Sequence, residues 1–325
     1  MLLRLIRFNY SAQLMLSILL MLAFWGRAFF IDIPIEIVES QTFLYSILFD
    51  WTKTHTMLAK TLAFVCVFLQ AFMLSEVFRT HSLSKNPMLI GLVYIVLMSA
   101  QSSWQTMHPF LISNFFIIGG FSYLFKIYDR KEAYEFVFNV GILFALAALI
   151  SPSLLPFAFV VCFVFLFYPI YKWREWLIGA LGFGLPFFAL FLWTSLTENT
   201  SVLSEFLIPI AKLEDFSIIL QISRPFQIFM VLVLVLSLVG VRFLNFRAKN
   251  KEISQRKKIM ATTLGLLWAA IVVIFMFEHA LVYLATSFVI SAFFIAEWLG
   301  RSQREWLSEV MLYTLVIVAF GVPFL

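Results

Sequence analysis

A chain of 325 residues that is 62% hydrophobic and only 13% charged has more apolar surface than a water-soluble fold can hide, since soluble domains carry about 25% charged residues. Forty Phe and nine Trp suit lipid-facing helices and interfacial belts, and the long unbroken apolar runs exclude a β-barrel, whose strands alternate over about ten residues. The net charge of +5 is not a nucleic-acid signature, because the basic residues fall in short connections between apolar runs. The expectation is an all-α, polytopic membrane helix bundle forming one domain over residues 1–325.

A membrane-crossing helix needs about 20 mainly apolar residues. Eleven candidates follow in chain order: 11–30, 57–78, 88–104, 110–125, 137–155, 157–170, 176–196, 226–244, 259–277, 280–298 and 306–324. The start, MLLRLIRFNYSAQLML, sets basic residues before an apolar run as a signal peptide does. That run continues to about Phe30 without a small-residue cleavage site, so it reads as a retained first span. The connection 31–56 carries Asp32, Glu36, Glu39 and Asp50, and its QTFLYSILFDW places Phe43, Ile47 and Trp51 at helical spacing. This is the pattern of an amphipathic helix lying in the interface. Spans 110–125 and 157–170 are short, and the second follows SPSLLP (151–156), whose prolines break the preceding helix.

GALGFG (179–184) sits inside an apolar span and reads as close helix packing rather than a phosphate cradle. The second long connection, 197–225, contains LSEFLIPIAKLEDFSIIL, a further interfacial segment interrupted by Pro209. Residues 242–325 then comprise the basic loop RFLNFRAKNKEISQRKK and three C-terminal spans. That loop orients the chain and touches anionic lipid. Cys66 and Cys162 each fall within an apolar run and are expected as two buried, inert thiols.

Basic residues collect on the cytoplasmic side of membrane proteins. With the N-terminus inside and strict alternation, Arg4, Arg7, Arg79, Lys85, Lys126, Arg130, Lys131, Lys172, Arg174, Arg242, Arg247, Lys249, Lys251, Arg256, Lys257, Lys258, Arg301 and Arg304 fall inside. These are 18 of the 23 basic residues. Arg27, Lys53, Lys60, Lys212 and Arg224 fall outside. An error of one span would scramble the bias downstream of it, so the asymmetry predicts eleven spans, N-in and C-out.

No Walker loop, GxGxxG, HExxH, CxxC or haem motif is present, and no metal-ligand set is expected. What remains is ionisable groups on the outer face. Asp32 follows the first span at the depth where bilayer meets water, a place that raises carboxylate pKa values and suits a general base. It is also the one position for a divalent metal on hard oxygen ligands; no other cofactor is expected. Lys60 and Arg224 suit a lipid-linked phosphate. Glu36, His108 in SSWQTMHPF, and the Glu278–His279 pair between spans nine and ten complete the outer set. Plainer roles exist for each: Asp32 as a helix terminator, Glu36 and Glu39 as the wet face of an interfacial helix, His108 as a helix cap, Glu278 and His279 as turn residues.

Taken together, the topology resembles the GT-C superfamily of membrane glycosyltransferases, which use polyprenyl-phosphate-linked sugars. The shared features are a cytoplasmic N-terminus, a first span ending in an acid, a long outer loop with amphipathic pieces, and a second long outer loop after span seven. The stretch HPFLISNFFIIGGFSYLFKIYDRKEAYEFVFNVGILFALAALISPSLLPFAFVVCFVF (108–165) is similar to the middle spans of that family, and the likeness covers about residues 1–241. The resemblance implies Asp32 as catalytic acid, Arg224 as the holder of the lipid phosphate, and an extracytoplasmic site in a bacterial inner membrane. A non-catalytic relative that keeps the lipid-binding scaffold has the same features, and the chain is also similar to a family of uncharacterised bacterial inner-membrane proteins. Two other functions fit: a non-enzymatic subunit of an envelope assembly or secretion complex, and a transporter or flippase of an amphiphilic substrate. The second is disfavoured by the lack of mid-span charge, since Gln70, Glu76 and Glu297 lie toward the inner ends of their spans. The expected partners are membrane lipids, a lipid-linked sugar and other membrane proteins, not nucleic acid.

Overall fold

The computed structural model describes residues 10–30, 45, 51, 54–129, 132–168, 172–197, 223–249, 251–275, 280–302 and 305–324. Among these the chain forms eleven α-helices and no strand. They are α1 (Tyr10–Phe30), α2 (Thr56–Thr80), α3 (Pro87–Met98), α4 (Pro109–Ile127), α5 (Tyr134–Ile150), α6 (Phe159–Phe167), α7 (Trp173–Leu196), α8 (Arg224–Ala248), α9 (Ile253–Phe275), α10 (Ala280–Arg301) and α11 (Glu305–Gly321). Each coincides with one of the eleven apolar runs. Seven of them, α1, α2, α4, α7, α8, α9 and α10, are long and apolar enough to cross a membrane, and the chain is a multi-pass helical membrane protein. Three shorter apolar helical segments are α3, α5 and the stretch Pro152–Phe167. The interfacial helices expected in 31–56 and 197–225 fall largely outside the described residues.

α3 and α10 form the centre. Every residue from Met88 to Met98 is buried, as expected of a helix that is hydrophobic all round. α3 packs against α1, α2, α10 and α11, and α10 also packs against α8 and α9. Phe78 of α2 stacks on Phe293 of α10 with centroids 4.2 Å apart and planes 7° from parallel. Glycine sets the close approaches. A Cβ on Gly91 of α3 would lie 2.6 Å from both Ala71 O and Ser75 Oγ of α2.

α7 is the opposite case. It buries only Glu175, Gly182, Pro186 and Thr194 and lies along α5. A Cβ on Gly182 would meet Phe138 O at 2.4 Å, and one on Gly141 would meet Gly179 O at 2.4 Å. The glycine-rich run is therefore a packing stripe, as small residues are in membrane bundles.

Two helices stop early. α3 ends at Met98 although the apolar run predicts a helix to 104. The segment SAQSSWQTMH (99–108) supplies side chains that compete for the backbone. Ser99 Oγ donates to Ile95 O at 2.7 Å, Gln105 Nε2 to Ser99 O at 3.3 Å, and Thr106 Oγ1 to Ser103 O at 2.9 Å. The 12 residues of α3 reach about 18 Å, well short of a hydrocarbon core of about 30 Å. The second interruption is at SPSLLP: α5 stops at Ile150 and a 3₁₀ stretch, Pro152–Ala158, leads into α6. The cysteines depart from expectation. Both are free, but Cys66 is half-buried and Cys162 exposed, because α6 turns only Val160, Val164 and Phe165 inward.

Candidate functional site

Helices alternate in direction, and their contacts define two polar ends. Both interruptions fall at the same one, the broken-helix end. Met107 and Ile150 share a small hydrophobic cluster with Tyr45 and Ala59. Buried carbonyls beside the breaks need donors, and large side chains from elsewhere provide them. Tyr45 Oη donates to Met107 O at 2.9 Å, Trp268 Nε1 to Pro156 O at 2.8 Å, and Tyr283 Oη to Ser153 O. Trp25 Nε1 donates to Ser99 Oγ at 2.9 Å. Trp104 sits among Phe110, Phe226 and Phe288, edge-on to each at 5.6 to 6.0 Å. Irregular backbone at membrane depth is tolerated only inside protein or along a cavity, which makes this end the candidate site.

Lys60 lies near the start of α2, one residue beyond Ala59 of that cluster, and is 2% exposed. His108 is buried at the N-cap of α4, its ring stacked on Phe110. A carbonyl cannot donate, so the 3.0 Å contact from its Nε2 to Ser103 O places the proton on Nε2. Burial pushes His108 down to about 4, only partly offset by the Ser103 hydrogen bond, so the ring is neutral at physiological pH. Arg224 opens α8 with its side chain exposed, and Phe226 two residues on packs against Trp104. Lys60 and His108 are thus in the interior of this end and Arg224 is at its rim. Asp32, Glu36, Glu278 and His279 lie outside the described residues. Among the described residues, no group of three or more His, Cys, Asp or Glu is placed to hold a metal ion. A buried lysine and an exposed arginine at the same end of the bundle are groups of the kind that meet an anionic oxygen group at an interface.

Composition did not point to the middle of the bundle, yet it holds a polar chain. Gln70 Nε2 donates to Leu111 O, and Tyr94 Oη donates to Gln70 Oε1 at 2.7 Å. Asn114 Nδ2 donates to Tyr94 Oη at 3.4 Å, and Thr286 Oγ1 to Asn114 Oδ1 at 3.1 Å. The four residues are fully buried and join α2, α3, α4 and α10 without a charge. The signal that would have found them is a lone Gln or Asn within an apolar run.

The opposite end is basic. Arg301 pairs with Glu297 at 2.8 Å, and both are largely buried. Ser84 donates to Glu297 across the bundle. Lys257 Nζ caps Phe167 O, the last residue of α6, at 3.1 Å, and Lys251 Nζ reaches Leu83 O at 3.4 Å. Burial lowers the Lys251 pKa, and the nearby Arg301 lowers it further against the pull of Glu297. Residues read from the sequence only as orientation signals therefore also bind helix ends together.

No protein-family model matches the chain, and no curated protein or solved structure matches it.

Proposed function

We propose that the chain is an eleven-span protein of a bacterial cytoplasmic membrane, N-terminus inside, that handles a polyprenyl-phosphate-linked sugar at its outer, broken-helix end in the manner of a GT-C-type glycosyltransferase. The observation that supports this reading is the burial of Lys60, 2% exposed, at the end where exposed Arg224 opens α8 and two helices give way to irregular polar backbone. A lipid-linked phosphate meets Arg224 first and Lys60 within. His108, neutral and bound to Ser103, holds the 99–108 stretch in shape. Asp32, two residues beyond the end of α1, takes the proton of the acceptor hydroxyl as its oxygen attacks the anomeric carbon. The bond from that carbon to the phosphate oxygen breaks, and the polyprenyl phosphate leaves with the bonding pair.

Substituting Asp32→Asn, Arg224→Ala and Lys60→Met in the native host, with envelope glycoconjugates and protein abundance followed together, tests this. The expected result is loss of a glycan with accumulation of the lipid-linked sugar in all three. Normal glycans with each variant at full abundance would sink the reading. A second reading draws on the paired helix interruptions, since discontinuous helices mark substrate sites in transporters: translocation of the same lipid. In that case the accumulating lipid-linked sugar is found in the inner leaflet, and Asp32→Asn leaves transfer intact.

A further inference from the structure

α1 and α2 lie side by side, and α3 packs against both. In the half toward the broken-helix end they are joined by rings. Phe64 of α2 stands edge-on to Trp25 at 6.0 Å and to Phe29 at 6.5 Å. Toward the basic end the three helices part around a half-open cavity of about 30 Å³. Leu14 and Ser17 of α1, Ala71 and Ser75 of α2, and Met88 and Gly91 of α3 line it. Phe72 lines it too and is 47% exposed, so the cavity reaches the outer flank of the bundle. Its walls run from Phe68 to Ser75 on α2 and from Met88 to Ile95 on α3, about 10 Å of helix rise on each.

The walls decide what fills such a hole. It is roomier than the ~10–15 Å³ that one water needs, but a water also needs polar partners. The two serines have spent their donors within their own helices, Ser17 Oγ on Gln13 O and Ser75 Oγ on Ala71 O, each at 2.8 Å. The other side chains of the lining are apolar. Left vacant, the cavity would forfeit the dispersion contacts of those side chains. The bundle crosses a bilayer, so the medium at its flank is hydrocarbon. Size narrows the class further. A cavity of ~150 Å³ takes a benzene ring, whereas this one has room for a slim chain and not for a ring or a branched tail. Ser75 lies within the last two turns of α2 and Met88 within the first turn of α3, which brings the cavity close to the basic end.

We propose that this cleft holds one unbranched acyl chain of a phospholipid from the leaflet at the basic end. The headgroup stays at the level of Arg79, whose side chain is 62% exposed. The chain enters past Phe72 and lies between α1 and α2, against Gly91 of α3. It completes toward the basic end the packing of α1 on α2 that Phe64 provides in the other half. The inference needs only a helical bundle in a membrane and stands apart from the transferase reading.

The test uses the full chain in vesicles that contain a trace of straight-chain phosphatidylcholine with a photoreactive diazirine in one acyl chain. Labelled positions are mapped by mass spectrometry of peptides. Yield on the cleft residues is compared with yield on α7, which buries only four residues and reports ordinary lipid contact. The bulk lipid is either straight-chain phosphatidylcholine or diphytanoyl phosphatidylcholine, whose methyl branches keep it out of the cleft. The expected result is a severalfold rise in the ratio of cleft to α7 labelling when the bulk lipid is branched. Ser17→Leu fills the cavity and is expected to abolish that rise. If Ser17→Leu does not fold, the exchange of bulk lipid on the wild-type chain decides alone. A ratio that does not change with the bulk lipid overturns the proposal, as does a rise that persists in folded Ser17→Leu. A disulfide-linked dimer formed in the membrane by Phe72→Cys and not by the wild-type chain also overturns it, because a second copy then covers the cleft.

Discussion

The two ends of the bundle solve the burial of polar groups differently. At the broken-helix end the need comes from the backbone: two helices stop inside the protein, and aromatic donors such as Trp25, Tyr45, Trp268 and Tyr283 answer freed carbonyls or the side chains beside them. At the basic end it comes from side chains: Arg301 pairs with Glu297, both largely buried, and buried Lys258 pairs with the half-exposed Asp129. Neutral donors shape a cavity wall without adding a field, whereas ion pairs fix helix ends and leave net charge at the surface. The first arrangement suits a substrate site and the second an anchor.

The largest expected effect tests the anchor. Glu297→Ala leaves Arg301 buried without its counter-charge and is expected to cost about 3–5 kcal/mol, read as a large drop in Tm of the detergent-purified chain. An unchanged Tm would mean that the basic end does not hold the bundle. Acid should act next, and at both ends. His108 is held at about 4 against an ordinary value of 6.5, so the unfolded chain takes up the proton first. Stability is therefore full above about pH 6.5 and is lost as pH falls toward 4, by about 3 kcal/mol from this residue. His81, also pushed down to about 4 by burial and by Lys258, adds loss in the same window. His108→Gln should flatten the profile of Tm against pH, and an equally steep profile in that variant would refute the assignment. Trp25→Phe tests the neutral network at the broken-helix end and is expected to cost about 1 kcal/mol by chemical or thermal unfolding. The smallest effect belongs to the exposed pair of Arg79 with Glu76 at 2.7 Å: Arg79→Gln should change stability by less than about 0.5 kcal/mol, in contrast to the buried pair at the same end.

Much of the architecture was legible because hydrophobic length is a strong signal. All eleven apolar runs carry helices, and the break at SPSLLP follows from proline, which cannot donate and fixes its own backbone. The stop at Met98 was missed because Trp104 and Met98 kept the run apolar on average while Ser99, Gln105 and Thr106 supplied the competing hydrogen bonds. An average over a window cannot see which backbone groups a serine will satisfy. The same averaging hid Asn114, while Gln70 was noticed only for its place along its span and not for the buried chain it joins with Tyr94. The site was legible only in part: Lys60 and Arg224 were singled out for their side of the membrane, but nothing in the spacing said that one would be enclosed and the other left at the rim. The pair of Asp129 with Lys258 gave no signal at all, since the two are far apart in the chain and meet only when the end of α4 and the start of α9 come together.

α3 has no face left for lipid, and that imposes an order on synthesis. It leaves the ribosome after α1 and α2, which can cover two of its sides at once. α10, which covers another, begins only at Ala280, and at about 5–20 residues per second it arrives roughly ten to forty seconds later. During that interval Tyr94 already has Gln70 within reach, while Asn114 waits for Thr286. The nascent chain thus carries a half-closed seam toward the bilayer until its last quarter is made, and a truncation ahead of α10 would leave α3 standing against lipid or against another protein.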